Sequence, residues 1–200
     1  MKTHKSVNRC GSQIRHRIPL LLFLGGASVL SMIAVRHLPA KEPLEMNRKA
    51  PELTQIDHWI NSEGLKLADQ RGKVVVLHFW TFGCINCQHN LPYYNKWQAD
   101  FAKENVQIIG VHTPETSFEA DPKTVATQVT KLKIKYPVAI DTDGAAWKAY
   151  ENRFWPSIYL IDKQGQIRYR WEGELEYQDA GGDKLMRTKI KELLSEVKKQ

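Results

Sequence analysis

Two kinds of hydrophobic pattern divide the chain. From Ile18 to Val35 run eighteen uncharged residues, IPLLLFLGGASVLSMIAV. As a helix that stretch spans about 27 Å, close to one bilayer hydrocarbon core. After Pro51 the apolar positions change character, and short buried runs alternate with helical stripes. Val74–Trp80 (VVVLHFW) is β-branched and aromatic, the pattern of a strand buried on both faces. Residues 84–103 predict a helix with Cys87, Leu91, Tyr94 and Phe101 along one stripe. A second buried strand is predicted over 106–111, a helix over 122–135, and short strands over 137–140 and 157–162. Lys163-Gln164-Gly165-Gln166 reads as a hairpin turn into a strand over 167–171. Asp183 is the predicted cap of a last helix that turns Met186, Ile190, Leu193, Leu194 and Val197 inward. Alternating strands and helices closed by a hairpin predict an α/β fold with a mixed central sheet flanked by helices.

Charge sharpens the division. The 29 Lys+Arg against 22 Asp+Glu give a net +7, which by itself suggests a nucleic-acid partner. Lys2, Lys5, Arg9, Arg15, Arg17, Arg36 and Lys41 all lie in residues 1–41, where there is no acid. Residues 42–200 are electrically balanced, so a basic nucleic-acid-binding face on the folded part is excluded. Five bases precede the apolar run and two follow it, a bias that keeps the N-terminus cytoplasmic and exports the rest. Residues 1–35 therefore read as a basic segment and transmembrane helix, 36–50 (with Pro39 and Pro43) as a tether, and 51–200 as one domain. A cleaved signal peptide is the alternative, although its apolar region is usually about 7–15 residues. Leu38-Pro39-Ala40 is also a poor cleavage site, and a buried core helix fits the one-sided charge badly. The expected location of the domain is the periplasm or an equivalent space outside the cytoplasm.

Three cysteines are too few for a disulfide scaffold. Cys10 precedes the apolar run, on the cytoplasmic side. Cys84-Ile85-Asn86-Cys87 opens a helix directly after a buried strand. Residues three apart on a helix have Cβ atoms about 5–6 Å apart, close to disulfide geometry. Cys84 at the helix start meets unpaired N–H groups and the positive dipole end, which favour a thiolate. Cys87, one turn inward on the apolar stripe, is harder to ionise. Cys84 is thus the attacking sulfur and Cys87 the resolving one. An inert disulfide closing so short a loop would add little stability. Zinc would need two further ligands, for which His89 is the nearby candidate, and Gln88 stands where a c-type haem site requires His.

Ala50-Pro51-Glu52-Leu53, Trp59-Ile60-Asn61-Ser62, Gly72–Val76, Phe79-Trp80-Thr81, the C-I-N-C motif, Gly110–Glu115 and Trp155-Pro156 resemble the thioredoxin-like thiol–disulfide oxidoreductases. The resemblance is to the TlpA-like branch and the redox domain of DipZ-type proteins, over about residues 50–178. It implies a thioredoxin fold with an extra segment supplied by residues 104–140, and exchange with protein thiols and disulfides without a dissociable cofactor. It implies that Cys84 and Cys87 are the redox pair, that Pro92 interrupts the active-site helix, and that Pro156 is a cis-proline facing the sulfurs. Trp155 would then lie near the site. Ile85-Asn86 replace the Gly-Pro of thioredoxin, and His78 stands where thioredoxin buries an acid. His78 is either a proton acceptor for Cys87 or a packed core histidine bonded to a backbone carbonyl. Glu115, after the second strand, is a candidate modulator of the thiols or a solvated loop acid. Two alternatives stay open. One is a thiol peroxidase, since Thr81-x-x-Cys84 matches part of the peroxiredoxin pattern, though Leu77 stands where its proline belongs. The other is a non-catalytic binding module. A reductant outside the cytoplasm would further need a transmembrane electron donor, because the apolar span carries no cysteine.

Overall fold

The computed structural model describes residues 41–197. The anchor expected over 18–35 lies outside the described residues, and among those described no helix is long and apolar enough to cross a membrane.

Seven strands form one sheet: β1 (Leu44–Lys49), β2 (His58–Ile60), β3 (Val74–Trp80), β4 (Val106–His112), β5 (Val138–Ile140), β6 (Ser157–Ile161) and β7 (Gln166–Glu172). Their order is β1-β7-β6-β3-β4-β5-β2. β3, β4 and β5 run parallel, and every other neighbouring pair is antiparallel. The sheet is therefore mixed, as the alternation of patterns predicts.

The alternation within β3 explains how the layers attach. Val74, Val76 and Trp80 face one core, built with α1 (Ile85–Asp100), α2 (Pro122–Lys131) and α4 (Gly182–Ser195). Val75, Leu77 and Phe79 face the other, covered by α3 (Ala145–Ala149) and the segment around Leu53, Ile56 and Leu67. All seven β3 residues are buried. Period-two side chains with both faces covered account for a strand without a polar side.

Three expectations need correction. Residues 44–49 are no tether: they pair antiparallel with β7 from Leu44↔Arg170 to Lys49↔Gln166. This is an edge strand with mostly exposed side chains, so its sequence (LEMNRK) lacks the apolar alternation that marks a half-buried one. Val197 is exposed, because α4 ends at Ser195 and Glu196 turns extended. Asp183 lies inside the first turn of α4, whose N-cap is Gly181. The capping acceptor is Glu176, which takes the Gly181 and Asp183 amides at 3.2 and 3.0 Å.

Candidate active site

Parallel pairing of β3 with β4 puts Trp80 opposite His112, so the loops that follow both strands leave the same edge of the sheet. Open α/β sheets place their sites at that edge. The β3 loop reaches α1 at Cys84, which is the N-cap, with extended backbone (φ −80°, ψ 111°) and its sulfur accepting the Cys87 amide at 3.2 Å. The Cys87 Sγ lies 2.6 Å from Cys84 Sγ. Both thiols are free; Cys84 is half-buried and Cys87 fully buried.

The two sulfurs differ as their surroundings require. The Cys87 thiol donates to Cys84, and this bond, with help from the Cys87 and Asn86 amides, outweighs partial burial and the Glu115 charge, bringing the Cys84 thiol down to about 7. Burial pushes the Cys87 thiol far up, and its bond to Cys84 and the Cys84 charge raise it further. Glu115 is exposed, and its carboxylate opposes ionisation of both sulfurs.

The loop before Cys84 is tied down on several sides. Gln88 donates its side-chain amide to the Phe82 carbonyl at 2.7 Å. The Phe82 ring stacks on His112 and meets Phe118 edge-on. Pro92 lies inside α1, where it lacks the N–H that would bond the Gln88 carbonyl. Asn90, buried on the same helix, accepts the Leu175 amide and donates to the Gly173 carbonyl, fixing α1 against the chain after β7.

His78 is fully buried on the α1 side of β3. Its Nε2 lies 3.1 Å from the Tyr136 hydroxyl, and its ring stacks on Tyr94 at a centroid distance of 4.1 Å. The partner is thus a phenol and not the backbone carbonyl expected for a packed core histidine. Burial drops its pKa to about 3, so the imidazole is neutral at physiological pH. The Trp155–Pro156 bond is cis, and Pro156 is buried. The Trp155 indole donates to the Thr113 carbonyl at 3.2 Å and stacks on Trp147 at 3.9 Å, so it is anchored to the loop after β4. Trp80 is buried against His112 and therefore belongs to the core rather than to a substrate-facing rim. His89, the residue considered for zinc, pairs with Glu174 at 3.0 Å on the surface. Among the described residues no group of three or more His, Cys, Asp or Glu is arranged to hold a metal ion.

Glu119 escapes a reading of the sequence by motif. It is only 4% exposed, and its carboxylate takes the Gly83 amide at 2.9 Å, immediately before Cys84. The local signal for it is a capping box, Thr116-x-x-Glu119, at the start of the short helical turn Ser117–Ala120. That signal predicts the bond to the Thr116 amide, and nothing local predicts the reach to Gly83.

Comparison with known proteins places the family and the fold. Residues 46–170 match the AhpC/TSA family. Protein DipZ of Mycobacterium bovis is 40% identical over 158 residues, which are 78% of this chain and 22% of DipZ, so the chain spans about a fifth of that relative. The thiol-disulfide oxidoreductase YkuV of Bacillus subtilis is 26% identical, with 77% of this chain and 99% of YkuV covered. Among solved structures, a thiol-disulfide isomerase from Corynebacterium glutamicum superposes with a TM-score of 0.64 at 31% identity, covering 74% of this chain and 98% of that one. With its mixed sheet, its helix-capping cysteine and more than half its length matched, this chain belongs to the AhpC/TSA family and has a thioredoxin-like fold.

Proposed function

We propose that the chain is a thiol–disulfide oxidoreductase that exchanges electrons with protein dithiols and disulfides through Cys84 and Cys87. The observation that carries this reading is the asymmetric sulfur pair: 2.6 Å apart, one half-exposed and acidic, the other sheltered and held protonated. The Cys84 thiolate attacks a substrate disulfide, forming a mixed disulfide and releasing one substrate thiolate, which takes up a proton. Cys87 then loses its proton and attacks Cys84 Sγ, releasing the second substrate thiol. The substrate gains two electrons and the pair ends as a disulfide; the reverse sequence oxidises a dithiol.

The causes of the Cys87 shift explain why the second step waits for the first. Burial holds its thiol up throughout, whereas the bond to Cys84 and the Cys84 charge do so only while Cys84 is an anion. Forming the mixed disulfide removes both. Cys87 becomes more acidic when it is needed as a nucleophile. Neutral His78 reaches this region through Tyr94, whose hydroxyl feels the charge on both sulfurs, and we assign it a supporting role there. Pro156 and Trp155 are assigned to substrate contact on their resemblance to the family pattern, and Glu115 to thiol modulation on its place after β4 and its charge acting on both sulfurs.

The apolar run at 18–35, with five bases before it and two after it, supports a membrane-anchored protein working outside the cytoplasm. If it works there as a reductant, a separate transmembrane electron donor must recharge it. The peroxidase alternative is disfavoured by Leu77, which stands where the peroxiredoxin pattern requires proline.

Equilibrating the full-length chain with glutathione redox buffers, with thiols mapped by alkylation and mass spectrometry, tests the reading. Cys84 and Cys87 are expected to oxidise together, the ratio of oxidised to reduced pair changing tenfold for about 30 mV. Failure of the pair to form an intramolecular disulfide at any poise would refute it. The midpoint also fixes the direction of electron flow against any given partner.

A further inference from the structure

Glu119 takes no part in the exchange steps, yet it is an ionised group buried beneath the catalytic loop. Its Oε1 accepts the Gly83 amide at 2.9 Å, and its Oε2 accepts the Glu115 and Thr116 amides at 2.8 and 3.0 Å. Burial alone would raise its pKa, but these three amides, with the Thr81 side chain nearby, more than offset it and hold the group below the usual carboxylate range. The Thr81 Oγ1 lies 3.3 Å from His112 Nε2, and burial keeps that imidazole neutral, with a pKa of about 4. The approach is close: a Cβ at Gly83 would sit 2.1 Å from Glu119 Oε1. Only glycine lets the carboxylate come so near the loop.

Gly83 is where this carboxylate meets the sulfurs: it directly precedes Cys84, whose amide bonds the Thr81 carbonyl at 3.4 Å. We propose that Glu119 is a positioning residue, whose buried carboxylate holds the Gly83 amide and thereby sets the geometry of the Cys84–Cys87 pair. This rests on the exchange reading above. The same carboxylate binds the Glu115 amide, so the two loops that flank the sulfurs share one anchor. It acts by holding amides of both loops in place rather than by its charge.

The test is the pH dependence of Cys84 alkylation by iodoacetamide in the reduced full-length chain, mapped by peptide. The charge that bears on Cys84 in this assay is that of Glu115. Glu119→Gln keeps the size but leaves one acceptor oxygen for donors on two sides. Its inflection is expected to rise by about one unit from the parent's, slowing alkylation at pH 7 about fivefold. Gly83→Ala, whose Cβ would fall 2.1 Å from Glu119 Oε1 and displace the carboxylate without removing its charge, should shift it the same way. A carboxylate that worked by charge would give the opposite sign, since neutralising it makes Cys84 more acidic. An unchanged or lowered inflection in folded Glu119→Gln overturns the proposal; should that variant not fold, Gly83→Ala decides by the same criterion. A parent that inflects where free cysteine does would sink the exchange reading and this proposal together.

Discussion

Cys84→Ser abolishes disulfide exchange, with turnover falling by roughly a thousandfold or more, because a hydroxyl in the same place supplies no anion near neutral pH. Cys87→Ser loses turnover just as completely but fails later. Cys84 remains at the helix N-cap, and the backbone amide one turn on, which the substitution leaves in place, still bonds its sulfur. The first attack therefore proceeds, and the mixed disulfide has no sulfur to resolve it. With an oxidised protein substrate, Cys87→Ser is expected to build up a one-to-one covalent adduct, visible on non-reducing gels and released by dithiothreitol. Cys84→Ser should form none, since its remaining sulfur is buried. Parental turnover in either variant, or an adduct formed through Cys87, would reverse the assigned roles. A binding module without turnover would keep its partner in both variants.

The other large effect concerns the fold that presents the pair. Trp97 is fully buried where α1 meets α4. Its ring packs edge-on against Tyr94 at 5.5 Å, its indole N–H donates to Asp183 at the start of α4, and the Arg187 guanidinium lies over it at 5.9 Å. Trp97→Ala removes a buried indole between the active-site helix and the C-terminal helix and strips Asp183 of a donor. A loss of about 3–5 kcal/mol is expected, most of it from the cavity. Urea unfolding should show it as a lower midpoint with an unchanged slope. A loss below about 1 kcal/mol would mean that α4 repacks freely and does not brace α1.

The sequence is a good guide where local pattern and tertiary demand coincide. Val74–Trp80 is apolar because both its faces are covered, and the cysteine spacing marks a helix start because an N-cap sulfur and a buried one fall one turn apart. It is a poor guide where a long-range partner decides the structure. The exposed strand Leu44–Lys49 exists because β7 offers it a backbone edge, and its own side chains say nothing of it. The short helix Ala145–Ala149 is likewise fixed from outside its own span, since Asp141 accepts the Ala146 and Trp147 amides at 3.0 Å. His78 is legible as a buried residue, but its partner Tyr136 lies 58 positions away. Glu119 lies 36 positions from Gly83, and a glycine beside a cysteine carries no sign that a carboxylate must pass it.

Everything rests on the inequality of two neighbouring sulfurs, and rates of alkylation measured separately for each across pH 5 to 10 test it most directly. Cys84 should titrate near pH 7 while Cys87 stays unreactive over the whole range. Equal reactivity of the two, or a Cys84 that titrates near the free-thiol value of about 8.5, would contradict the account.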